Sequence, residues 1–350
     1  MAANEIYIYG FVPNFYGAEF FRSLKNIGVH FISFQNISAI VSDQKAAPFD
    51  FFDRESLAHL LVHHQKTIEG IMAIGFDMIL PMKLGTIVHT KDNVLSILSK
   101  GYDLILATLK GIEHLIEIDL AVTWVDFSRT LQDTANHPDV IAMKNSILNK
   151  TNNISQVDQI KVGKLVHDIM DKKNKQVELK IIDTLSSFSL GIKKHETMDD
   201  QMVTNSAFLV NRGKKEKFEQ IIEQFDTEFD GTLNFKLVGP LPCYSFYTIE
   251  IKELDMEYVA QAGKELGLKN ETSEYEIKKA YQEKARLFHP DTYLENGSEE
   301  NFNNINKAYH TLLDYIVAVR QSSKEEYISL AKENLIENLI LVKIKEEYAT

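Results

Sequence analysis

Glu55, His59 and His63 recur at intervals of four residues, and His64 adjoins the last of them. On a helix that spacing puts a carboxylate and two imidazoles on one face. Both groups are zinc ligands. The HExxH order is missing, however, and no fourth ligand is evident, so no metal is expected. Gly213-Lys214 lacks the upstream glycine of a phosphate loop and reads as a helix start. No GxSxG is present. Cys243, the sole cysteine, sits in no nucleophile motif and reads as a packing residue. No catalytic constellation emerges, so neither an enzyme activity nor a cofactor is expected.

Two His-Pro-Asp tripeptides remain. His137-Pro138-Asp139 follows the polar, turn-prone TLQDTAN and reads as a loop or helix start with Pro138 in the first turn. His289-Pro290-Asp291 follows IKKAYQEKARLF, a helix pattern carrying Lys278, Lys279, Lys284 and Arg286. Pro290 ends that helix. Beyond it Phe302, Ile305, Ala308, Tyr309 and Leu312 space apolar groups by three and four, so a second helix follows. Two antiparallel helices joined by a loop that exposes His289 and Asp291 make a small helical hairpin.

The whole chain sets the bounds. At 350 residues two or three domains are expected. No apolar run reaches the roughly 18 residues of a membrane helix. The start, MAANEIYIYG, does not resemble a signal peptide. A net charge of −12 argues against a nucleic-acid partner, and the single cysteine fits a reducing, cytoplasmic setting.

In chain order, Glu5–Val12 reads as a strand, Gly17–Asn26 as a short helix, and Val29–Phe34 with Ile37–Ser42 as a strand pair turning near Gln35-Asn36. A helix capped by Asp50 or Asp53 runs to Ala73. Met78–Leu84 is extended, Thr90 caps a helix from Lys91 to about Lys110, and Leu120–Phe127 is a strand closing the first lobe. Asn149–Ser155 separates two helical stretches, of which Gln156–Phe188 is long and amphipathic. A second strand–helix–strand–strand unit follows: Val203–Val210, Lys214–Phe229, Thr232–Val238 and Tyr244–Ile251, with a rigid bend at Gly239-Pro240. Asp255–Leu266 is a helix. Lys324–Tyr348, rich in Glu and Lys, reads as a last amphipathic helix.

The segment from about Lys264 to Ser323 resembles the J-domain, with which DnaJ-type co-chaperones stimulate a DnaK-type ATPase. The resemblance rests on Ile277, Ala280, Tyr281, Ala285 and Phe288, on the loop His289, Pro290 and Asp291, and on the apolar positions of the following helix. It implies that His289, Pro290, Asp291, Tyr281, Lys278 and Lys279 contact a DnaK-type chaperone. The chain departs from the family at Gln282 and Glu283, where a basic pair is usual, and at Lys284, where a leucine normally packs.

Residues 5–251 resemble the gas vesicle GvpL/GvpF family. The motifs are YIYGFVP, ISAIVSD, LPMKLGT (Leu80, Pro81, Lys83, Gly85, Thr86), NSAFLVNR and GPLPCYSF (Gly239, Pro240, Tyr244), in the family's order. His64 falls near a histidine often seen there. The family usually has Arg-Phe-Gly where this chain has Lys83-Leu84-Gly85. Together the resemblances imply an α+β fold. Two ferredoxin-like lobes (1–128 and 191–254) are joined by long helices (129–190). A J-domain-like helical hairpin (255–323) and a C-terminal amphipathic helix (324–350) follow. They imply an accessory or minor structural protein of gas vesicles. Its expected partners are shell and accessory proteins and a DnaK-type chaperone, with no nucleic acid and no membrane. A general J-domain co-chaperone with another client is the alternative.

Overall fold

A computed structural model describes residues 4–14, 28–45, 54–76, 78–149, 154–288, 299–323, 327–331 and 339–346. The expected helix at Gly17–Asn26, the caps Asp50 and Asp53, and the His289-Pro290-Asp291 loop lie outside these residues. The architecture is α+β. The chain divides into two compact units, Met1–Lys110 with Thr248–Lys345, and Gly111–Tyr247 with Glu346–Thr350.

The first unit is built on β1 (Asn4–Pro13), in which Ile6 to Val12 are all buried. A strand buried along its length needs partners on both edges and cover on both faces. β3 (Ile37–Lys45) pairs antiparallel on one edge and in turn carries β2 (His30–Phe34). The β2–β3 turn holds Gln35 at φ 50°, a conformation uncommon outside glycine. On the other edge of β1 lie two short strands, β4 (Leu80–Pro81) and β5 (Ile87–Val88). Helix α1 (Arg54–Ala73) presents His64 to β1.

The expected helix from Lys91 to Lys110 is two helices, α2 (Lys91–Lys100) and α3 (Tyr102–Ile112). Thr90 caps α2 in a capping box with Asn93, as its sequence suggests. The break falls at Gly101, the C-cap of α2. A Cβ there would meet Val342 Cγ1 at 2.8 Å and the Ile97 carbonyl at 3.0 Å, so a glycine is what lets the C-terminal segment pass this close.

That segment is the main correction to the sequence reading. In place of a helix over Lys324–Tyr348, the described residues form β12 (Tyr327–Ser329) and β13 (Ile340–Glu346). β13 pairs with β10 (Tyr247–Glu253), and β12 pairs antiparallel with β11 (Glu271–Ser273). Leu339 and Leu341 sit in the same core as the helices of the J-like segment. The open edge of β10 and this apolar cover outweigh the helix propensity of the Glu- and Lys-rich sequence.

The second unit has a four-stranded sheet in the order β7 (Gly191–Lys194), β8 (Met202–Asn211), β6 (Leu115–Trp124), β9 (Leu233–Leu241), each neighbour antiparallel. The tryptophan-bearing strand starts earlier than its sequence suggests, at Leu115. It is an inner strand of this sheet and takes no part in the first. Ile116, Ile118, Leu120 and Val122 alternate onto a core shared with Phe208, Phe218 and Phe225. α7 (Lys215–Glu228) supplies Phe218 and Phe225 to it. The helices before β7 are α4 (Phe127–Ala135), α5 (Pro138–Leu148) and α6 (Gln156–Ser186). Ser155 opens α6 through a capping box with Asp158, and Trp124 Nε1 donates to Asn174 on that helix at 2.9 Å.

Candidate protein-interaction site

Three helices build the J-like segment: α8 (Met256–Leu266), α9 (Glu274–Phe288) and α10 (Glu299–Ser322). Each end is fixed locally. Asp255 accepts from the Glu257 amide at 2.8 Å to start α8, and Gly267 at φ 72° ends it. Ser273 and Glu276 form a reciprocal box at the start of α9. The Ser273 amide donates to Glu276 Oε2 at 2.8 Å and the Glu276 amide to Ser273 Oγ at 3.4 Å. Val259, Leu266, Ile277, Ile305, Leu312 and Ile316 fill the centre. Tyr281 and Tyr309 stack with ring centroids 4.1 Å apart, and the Tyr281 hydroxyl donates to Asn306 at 3.4 Å. Tyr281 is therefore tied to α10 and helps align α9 with it.

The cations of α9 are not equivalent. Lys278 pairs with Glu274 at 2.5 Å, and Glu274 also takes Arg320 at 2.7 Å. These hydrogen bonds, that of Lys278 first, hold the Glu274 carboxyl below its usual range, and Glu274 in turn raises the Lys278 ammonium. Lys284, where this chain departs from the packing leucine of the family it resembles, donates to the Glu265 carbonyl at the end of α8. Lys279 and Arg286 are exposed and have no ion pair among the described residues. The earlier tripeptide behaves as a helix start: His137 is the N-cap of α5, its Nδ1 accepting from the Asp139 amide at 3.3 Å, with Pro138 in the first turn.

This helical segment is joined to the first sheet by the LPMKLGT stretch. Leu80 and Pro81 pair with Phe11 and Gly10 of β1. The Met82 amide donates to the Tyr9 carbonyl at 3.1 Å, and the next amide, Lys83, donates to Ile249 of β10 at 2.9 Å. Lys83 Nζ pairs with Glu250 at 3.2 Å. Thr86 closes the turn onto the Lys83 carbonyl through its amide and its hydroxyl, at 3.2 and 2.7 Å. Gly85, at φ 82°, donates its amide to the Tyr7 hydroxyl at 3.2 Å. That hydroxyl also meets His64 Nδ1 at 2.9 Å, while Tyr9 meets Ser42 at 3.2 Å and His63 at 3.3 Å. Burial pushes the Tyr7 phenol up to about 12 and the His64 imidazole down to about 4, so both are neutral near pH 7. His64 is a buried hydrogen-bonding residue. His59 and His63 are exposed, the Glu55 side chain lies outside the described residues, and no group of three or more metal-binding side chains occurs among those described.

From β10 the connection continues. Leu254 donates to the Leu339 carbonyl at 3.0 Å, Lys252 pairs with Asp314 of α10 at 2.5 Å, and the Gln321 side chain bonds both main-chain groups of Val342 at 2.5 and 3.1 Å.

In the second unit, Gly239 at φ 151° brings β9 against β6, where a Cβ would lie 2.9 Å from the Glu117 carbonyl. The register of β6 and β9 shifts here, so the expected bend at Gly239-Pro240 is a bulge near the end of β9. The Tyr244 amide donates to the Pro242 carbonyl at 2.7 Å, which aims the next residue back at β6. Ser245 donates its amide and hydroxyl to Glu117, at 2.7 and 2.8 Å. The sequence reading missed this carboxylate. Burial first, and Asp119 second, push Glu117 up to about 8, and burial raises Asp119 too. The signal was available: two carboxylates two apart on a strand share a face. Cys243 is buried beside Phe246, and burial lifts its thiol far above the reactive range.

The model of the family "Gas vesicle synthesis protein GvpL/GvpF" matches residues 5–248, and that of the DnaJ domain matches 264–316. Gas vesicle protein F of Microcystis aeruginosa is 22% identical over 190 residues, covering 53% of this chain and 76% of that protein. Its counterpart in Nostoc is 23% identical over 190 residues, covering 54% and 77%. The chaperone protein DnaJ of Limosilactobacillus fermentum is 51% identical over 49 residues, which is 14% of this chain and 13% of that protein. The crystal structure of GvpF from Anabaena sp. PCC7120 superposes with a TM-score of 0.54 at 19% identity, over 69% of this chain and 95% of the other. With the family model spanning both sheets, this chain belongs to the gas vesicle GvpL/GvpF family, and it carries a DnaJ domain after the family's fold.

Proposed function

We propose that this protein is an assembly factor for gas vesicles that brings a DnaK-type chaperone to vesicle proteins in the cytoplasm. The α+β lobes bind shell or accessory proteins. α9 and the His289-Pro290-Asp291 loop engage the chaperone. The supporting observation is the continuity of the first unit. β10 leaves the family's own motif at Lys83 and Ile249 and pairs with β13, whose flank packs in the core of the DnaJ segment. A shell protein rich in apolar surface aggregates unless that surface is covered before assembly. A chaperone delivered by a protein already bound there acts at high effective concentration.

The test uses the full chain and His289→Gln. Both are expected to bind purified shell protein equally, and only the wild type to stimulate a DnaK-type ATPase and support vesicle formation. Normal vesicle formation with His289→Gln would reject the chaperone arm. Absence of binding to shell protein by either form would move a general co-chaperone with another client, favoured by the 51% identity to DnaJ, into first place.

A further inference from the structure

The DnaJ segment carries a second recessed surface, away from α9. A groove of about 430 Å³ lies along α8 and α10 and is lined also by Lys252 and Glu253 of β10 and by Leu254, which follows that strand. No residue of α9 lines it. Its depth follows from residue size. Ala262 and Ala308 face the contact between the two helices, and with Leu254 and Val259 they form a buried apolar floor. Tyr258 forms a wall and is 61% exposed. Gln261 and Asn304 present exposed side-chain amides along it.

The charge around the groove is uneven. Glu253, Asp255 and Glu265 line it, against Lys252 and Lys307. Both cations are engaged within the protein, Lys252 by Asp314 at 2.5 Å and Lys307 over the Tyr258 ring at 5.8 Å from its centroid. Asp255 is held in turn as the N-cap of α8, which leaves Glu253 and Glu265 as the carboxylates that give the rim its acidic balance over an apolar floor. We propose that this groove docks a short peptide segment of a protein partner, with one apolar side chain on the alanine floor and flanking lysines or arginines on the carboxylate rim. The amides of Gln261 and Asn304 supply donors and acceptors for its backbone. Because α9 takes no part, the segment and a chaperone can be held at once.

The probe is a fluorescein-labelled peptide, Lys-Arg-Leu-Leu-Lys-Arg, titrated into the full chain by anisotropy, with a Glu-for-Lys/Arg peptide alongside. Tyr258→Ala, and separately Glu253→Lys with Glu265→Lys, are expected to weaken the basic peptide by about tenfold or more. Both alter exposed side chains and leave the floor intact. Glu223→Lys with Asp226→Lys on exposed positions of α7 makes the same charge change elsewhere and is expected to alter affinity less than about twofold. Lys279→Glu, on the chaperone-facing helix, is expected to leave peptide binding in place. The proposal is overturned if the α7 reversal weakens binding as much as the rim reversal, if Tyr258→Ala has no effect, or if the acidic peptide binds as well as the basic one.

Discussion

Gly101 and Val342 meet at van der Waals limit: a single carbon added to Gly101 would lie 2.8 Å from Val342 Cγ1. One residue belongs to the α2–α3 break beside the first sheet, the other to the strand that closes the DnaJ core. Gly101→Ala forces a shift on one side or the other and is expected to cost about 1–3 kcal/mol. Val342→Ala makes room. The double mutant should therefore be more stable than the sum of the two single effects predicts. Urea midpoints of the four proteins measure the coupling, and strictly additive values would show that the contact is not a constraint.

The Glu117 carboxyl gives the second unit a pH dependence of defined sign. Its folded value is raised to about 8 from 4.5, so the folded state holds a proton that the unfolded state releases between these values. Stability from this group is complete below about pH 4.5 and is lost as pH rises through about 8, at up to roughly 1.4 kcal/mol per pH unit. Asp119 is shifted in the same direction. Glu117→Gln keeps an acceptor for the Ser245 amide and carries no charge. It should flatten the decline and be the more stable protein at pH 8.5. Equal pH slopes for the two proteins, from denaturant unfolding at pH 6 and 8.5, would contradict this.

Tyr7 is the node of the polar cluster beneath β1, holding the Gly85 amide and His64 at once. Tyr7→Phe keeps the ring and removes one hydrogen bond from each partner, and is expected to cost about 1–3 kcal/mol. The His64 value near 4 implies a neutral imidazole whose contribution is lost as pH falls from about 6.5 toward 4, because the unfolded chain takes up the proton first. Imidazole NMR signals followed from pH 7 to 4.5 should show the His64 ring staying neutral. Titration of every histidine near 6.5 would refute the burial argument.

Legibility tracked how local the determinants are. The helices of the DnaJ segment could be read because their helix formers and apolar spacing are local, as are the caps the structure adds, Asp255, Ser273 with Glu276, and Gly267. The long α6 could be read from its own amphipathic spacing, and the cap that starts it, Ser155 with Asp158, is equally local. The C-terminal strands could not. Glu and Lys at helical spacing favour a helix, and what reverses that preference is the edge of β10, some ninety residues away in sequence. The position of β6 as an inner strand of the second sheet was hidden likewise, since its partners β8 and β9 follow long helices. The clasp of LPMKLGT was visible as a motif, but its link to Ile249 and Glu250 was not.

The uneven engagement of cations on α9 leads to a last prediction, which rests on the proposed chaperone contact. Lys278 is held by Glu274, and Lys284 by the end of α8, so neither is free to reach outward without breaking a bond. Lys279 and Arg286 are exposed and carry the steering charge. Lys279→Glu with Arg286→Glu should slow association with a DnaK-type chaperone and make the remaining binding less sensitive to salt, because opposite-charge steering is screened by ions. Lys278→Ala should instead lower stability only slightly, through the lost i,i+4 pair, and leave the association rate nearly unchanged. Association rates measured at low and physiological salt separate the two. If Lys278→Ala slows binding as much as the double reversal, Lys278 leaves Glu274 in the complex, and the resting pair in the free protein is a latch that the chaperone opens.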